Sequence, residues 1–107
     1  MTVLELTDAT FDEVVGASSV PVLVDVTAPW CGPCVQMEPV LADVAGESAG
    51  ELVVARLDVE EHPDTARRLG VMSFPTLLLF VDGAERGRVI GARGKARLRE
   101  DLRTFLA

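Results

Sequence analysis

The chain reads as an α/β protein with a central mixed five-stranded sheet flanked by four helices, and three observations say so. Three runs rich in apolar residues, Pro21–Val26, Leu52–Val59 and Thr76–Val81, have the length and composition of buried strands. Segments with helical apolar spacing alternate with them, the arrangement that places helices on both faces of a sheet. Asp82-Gly83, between the last two strand-like runs, marks a two-residue hairpin and so an antiparallel pair beside the crossover-linked ones. The predicted order is β-α-β-α-β-α-β-β-α.

Taken in turn, Val3–Leu6 reads as a short edge strand. Thr10 with Glu13 three residues on has capping-box spacing and predicts a short helix carrying Phe11, Val14 and Val15, closed by Gly16. Residues 21–27 are apolar on both faces, as a central strand requires. The next helix is expected to run to about Ala49, with a kink at Pro39, where a backbone donor is missing. Pro63 opens a helix that Gly70 closes. Arg86–Gly91 supplies the strand returning from the hairpin. From about Lys95, Leu98, Leu102 and Phe105 fall at i, i+4 and i+7, a single apolar stripe on an otherwise charged helix.

Chemistry concentrates in Trp30-Cys31-Gly32-Pro33-Cys34, which holds both cysteines of the chain between a strand and a helix. Residues three apart at a helix start share a face, at a separation of roughly 5–6 Å that suits a disulfide. Unpaired N–H groups and the positive end of the helix dipole stabilise a thiolate on Cys31 and lower its pKa. Cys34, one turn further in, is expected to be more buried and less easily ionised. Gly32 lets another backbone approach Cys31, and Pro33 stiffens the link between the sulfurs without costing a helical hydrogen bond. An attacking and a resolving sulfur result.

With 107 residues the chain is expected to form one domain over 1–107, able to bury about two-thirds of its unfolded surface. A net charge of −7 argues against nucleic acid and anionic membranes as principal partners. The start, Met1-Thr2-Val3-Leu4-Glu5, has no basic, apolar export pattern. A close cysteine pair is therefore expected in a reducing, cytoplasmic setting, where catalysis or redox sensing outweighs a structural role.

Over essentially its whole length the chain resembles the thioredoxin family. The resemblance rests on Val24-Asp25, Trp30-Cys31-Gly32-Pro33-Cys34, Pro39, Phe74-Pro75-Thr76, Asp82-Gly83 and Gly91-Ala92. It implies the thioredoxin fold and a thiol–disulfide oxidoreductase that reduces protein disulfides. It makes Cys31 the nucleophile and Cys34 the resolving thiol, with Gly32 and Pro33 supporting them. Pro75 would be a cis proline facing the cysteines, and Trp30, Phe74, Pro75, Gly91 and Ala92 would dock the substrate. No bound cofactor is implied, because the family draws electrons from NADPH through a separate flavin-containing thioredoxin reductase. A monomer is expected.

Asp25 can be argued without the resemblance, which assigns it the same role. Mid-strand among Leu23, Val24 and Val26, an unpaired carboxylate costs several kcal/mol, and such groups respond with a raised pKa. A protonatable carboxyl behind the cysteines can take the proton of Cys34 as that sulfur attacks. The sequence departs from the family pattern at Thr27, Pro29, Val35 and Arg56. Arg56, where a lysine often partners the buried aspartate, cannot give up its proton and is expected to hold the Asp25 pKa down. Val35, where lysine is common, leaves Cys31 a slightly weaker acid.

Other readings compete. Two cysteines and a distant His62 fall short of a four-ligand zinc site. A structural staple across so short a loop constrains little chain entropy. Asp25 paired with Arg56 would be a plain core carboxylate, Met37 and Met72 read as packing residues, and the last helix as a solvated face. An isomerase or oxidant, or a redox-switched binding module, would use the same residues.

Overall fold

A computed structural model describes residues 3–107; Met1 and Thr2 lie outside the described residues. The elements are β1 (Leu4–Leu6), α1 (Phe11–Ala17), β2 (Val22–Thr27), α2 (Gly32–Glu47), β3 (Val53–Asp58), α3 (Pro63–Arg68), β4 (Thr76–Val81), β5 (Ala84–Ile90) and α4 (Lys95–Leu106). The order matches the alternation read from the sequence. The sheet runs β1-β3-β2-β4-β5, with β3 parallel to β1 and β2, and β4 antiparallel to β2 and β5. This mixed sheet with four helices is the thioredoxin fold.

Strand alternation sorts the core into two layers. Val22, Val24, Val26, Ala55, Leu57, Leu78 and Phe80 face α1 and α3 with Phe11, Val15 and Ala66. Leu23, Val54, Leu77, Leu79 and Val89 face α2 and α4 with Met37, Leu41, Val44, Leu98 and Leu102. The same alternation puts Glu5, Asp25 and Arg56 on the α2 side. Their placement there matters for the site.

Local signals at the first helix resolve differently from the sequence reading. Thr10 has helical backbone dihedrals and makes no side-chain cap. Its hydroxyl instead accepts from the Thr7 N–H at 3.0 Å, so the Thr10/Glu13 capping box does not form. Gly16 does not close α1, which continues to Ala17 and stops at extended Ser18. Helix α2 ends at Glu47, two residues short of the expected boundary, with Ser48 as its C-cap and Gly50 left-handed at φ 85°.

Elsewhere the punctuation holds. Gly70 adopts φ 72° after α3, and Asp82 and Gly83 both adopt positive φ at the hairpin. Helix α2 continues through Pro39. Helix α4 is less solvated than its charge suggests. Asp101 is largely buried and lies 3.4 Å from the Arg93 Nε, while Lys95 and Arg99 pair with Glu47 of α2.

Candidate active site

Helix α2 begins immediately after the β2–α2 turn, so its first backbone donors gather around the cysteines. Cys31 is the N-cap, with extended dihedrals (φ −96°, ψ 112°), and its Sγ accepts from the Cys34 N–H at 3.3 Å. Pro33 occupies the first helical turn, where no helical bond is lost. Cys31 and Cys34 form a disulfide with a Cα–Cα separation of 5.2 Å. Cys31 is 7% exposed and Cys34 2%, the expected order of burial, while Gly32 and Pro33 are exposed.

The loop before β4 closes over this turn. The Phe74-Pro75 peptide is cis, and the Phe74 carbonyl oxygen lies 3.5 Å from the Cys31 Sγ. A disulfide sulfur has no hydrogen to give, so this is a packing contact that becomes a hydrogen-bond geometry once the thiol is formed. The Trp30 and Phe74 rings meet edge to face, centroids 5.8 Å apart, and Trp30 is 65% exposed. Gly91, in a left-handed conformation at φ 98°, donates its N–H to the Pro75 carbonyl at 2.8 Å, tying the end of β5 to the proline loop. Ala92 follows, exposed.

Asp25 is completely buried, and neither carboxyl oxygen has a hydrogen-bond partner among the described residues. Burial raises its pKa to about 7, against the pull of the Arg56 charge and with further upward pushes from Glu38 and Glu5. Arg56 is the Cα partner of Asp25 in the neighbouring strand, but its guanidinium turns away. Its Nε donates to Glu5 Oε2 at 2.7 Å, and Nη1 lies 3.8 Å from Glu38 Oε1. The reading of Asp25 as a core carboxylate paired with Arg56 therefore fails. A cleft of about 290 Å³ beside these groups is lined by Cys34, Thr27, Pro29, Val35, Glu38 and Arg56. It gathers all four departures from the family pattern at one wall.

Met72 is 90% exposed and is not the packing residue expected from the sequence, whereas Met37 is buried and its sulfur accepts from the Arg93 N–H at 3.1 Å. Val35 and Ile90 are likewise exposed. Glu5 and Glu38 were not singled out in the sequence. Glu38 had a signal, since it lies four residues after Cys34 on the same helical face; Glu5 had none without the strand register. Among the described residues, no group of three or more His, Cys, Asp or Glu is placed to hold a metal, and no helix is long and apolar enough to cross a membrane.

A vicinal pair of sulfurs held at a helix start, able to close a disulfide beside a solvent-facing aromatic, defines a thiol–disulfide oxidoreductase. The sequence model of the thioredoxin family matches residues 2–104, and the chain belongs to that family as a protein-disulfide reductase. It is similar to thioredoxin of Mycobacterium tuberculosis, 50% identical over 99 residues that cover 92% of this chain and 85% of that one. Thioredoxin of Mycolicibacterium smegmatis is 48% identical over 99 residues, covering 91% and 88%. A Mycobacterium leprae protein named bifunctional thioredoxin reductase/thioredoxin is 48% identical over 99 residues, 92% of this chain but 22% of its own length.

Proposed function

We propose that the chain, acting as one domain over residues 1–107, reduces disulfides in protein substrates through Cys31 and Cys34. The helix start favours the Cys31 thiolate, which attacks a substrate disulfide, forms a mixed disulfide and releases the first substrate thiolate. Cys34 then gives its proton to the Asp25 carboxylate and attacks the Cys31 Sγ. The second substrate thiolate leaves, and the two electrons received by the substrate leave a Cys31–Cys34 disulfide behind. Trp30, Phe74, Pro75, Gly91 and Ala92 dock the substrate chain, with Phe74 offering its backbone. The observation that carries this reading is the cysteine pair at a helix start with a Cα–Cα separation of 5.2 Å; the buried, unpartnered Asp25 supports the proton step.

A separate NADPH-dependent flavin reductase returns the protein to its dithiol form. The M. leprae relative, whose name joins a thioredoxin reductase to a thioredoxin, supports that partnership. The protein works in the cytoplasm as a monomeric electron carrier in redox homeostasis. Equilibration in buffers of defined thiol–disulfide poise is the test. A potential well below the cytosolic glutathione poise is expected, and one in the range of disulfide isomerases overturns the reductant assignment.

A further inference from the structure

Glu5, Arg56 and Asp25 stand side by side in one row across β1, β3 and β2, all on the α2 face of the sheet. Neighbouring strands lie about 4.8 Å apart, so the Arg56 side chain has a carboxylate on either hand at similar reach. It takes Glu5 through Nε at 2.7 Å and turns Nη1 toward Glu38, 3.8 Å away on α2. Asp25, on its other side, keeps both oxygens without a hydrogen-bond partner.

We propose that Glu5 and Glu38 are positioning residues that clamp the Arg56 guanidinium away from Asp25, leaving the buried carboxyl without an ion-pair partner and ready to take the Cys34 proton. The proposal deepens the reductase reading above and rests on its assignment of that proton to Asp25. Two carboxylates around one guanidinium leave a surplus negative charge beside Asp25. An Arg56 released to Asp25 would instead favour the carboxylate and weaken it as a base.

The other charged or titratable groups facing this region are few. Beta strand β3 adds Asp58 at the cleft, α2 adds the Cys34 thiol of the reduced protein, and β4 places apolar Leu77 opposite Asp25. The two glutamates are also more than half exposed, so their amide variants keep shape and packing.

The experiment follows the Asp25 carboxyl carbon by NMR against pH in the wild type, in Glu5→Gln, in Glu38→Gln and in the double variant. The rate of resolution of a preformed Cys31 mixed disulfide is measured over the same pH range. The Asp25 midpoint is expected to fall by roughly one pH unit in the double variant. The resolution profile should move down with it, and adding Arg56→Gln should bring the midpoint back up. An Asp25 midpoint unchanged in the double variant, or one that falls just as far when Arg56→Gln is already present, overturns the clamp, whatever the rates do. A midpoint that falls only when Arg56 is present, while the resolution profile stays in place, keeps the clamp and overturns the Asp25 proton role instead.

Discussion

The Cys31 sulfur and the Phe74 carbonyl oxygen lie 3.5 Å apart although 43 residues separate them in the chain. One belongs to a helix start and the other to the loop entering β4, and the antiparallel pairing of β2 with β4 brings the two together. The contact puts a peptide backbone beside the sulfur that we propose as the nucleophile. A docking chain can pair with that backbone while its disulfide approaches Cys31.

Serine at Cys31 should abolish turnover in an insulin-reduction assay, because the sulfur that remains, Cys34, is only 2% exposed and cannot meet a substrate disulfide in its place. Cys34→Ser should still attack substrate and accumulate the mixed disulfide, visible by mass and released by added dithiol. Equal turnover in Cys31→Ser and wild type would overturn the assignment of the nucleophile.

Asp25 makes stability depend on pH in a definite sense. Its folded pKa of about 7 lies above the ordinary carboxylate value of 3.8, so the folded state holds a proton that the unfolded state loses first. Wild-type stability should therefore fall as pH rises from about 4 to 7 and level off above, by up to about 4 kcal/mol. Asp25→Asn should lack that fall and resolve mixed disulfides more slowly. Parallel stability–pH curves for the two proteins, from denaturant titrations, would rule this out.

Trp30→Ala removes an exposed ring that packs edge to face on Phe74. Such pairs contribute about 0.5–1.5 kcal/mol beyond buried area. The expected result is a severalfold rise in KM for a protein disulfide with little change for a small acyclic one such as hydroxyethyl disulfide. Met72→Lys, at the most exposed of the large apolar side chains and two residues before Phe74, should raise KM in the same selective way. An equal loss on both substrates would place these residues in the chemistry instead of docking.

Gly87 lies under Phe105: an added Cβ would collide with its ring. Gly87→Ala should cost about 1–3 kcal/mol through overpacking of β5 against α4. Combined with Phe105→Leu the cost should be smaller than the two single costs added. Additive melting shifts in that double-mutant cycle would show that the ring is not the obstacle.

The sequence by itself determined the element order, the sheet class, the hairpin at Asp82-Gly83 and the placing of two thiols at a helix start. These follow from patterns a few residues long: period-2 and period-3.6 hydrophobicity, proline and glycine punctuation, and i, i+3 spacing. Asp25 was legible too, because a carboxyl inside an apolar strand is costly wherever that strand packs. The tertiary structure decided the partners. Thr10 had two local uses for its hydroxyl, and the turn with Thr7 won over the capping box. Met72 looked like core by composition, but the loop before the cis Phe74-Pro75 bond carries it outward. Arg56 could meet Asp25 or Glu5, and only the β1–β3–β2 register with α2 above it brings in Glu5 and Glu38 to claim the guanidinium. The Arg56 outcome depends on groups dozens of residues apart competing for one position, which no local pattern encodes.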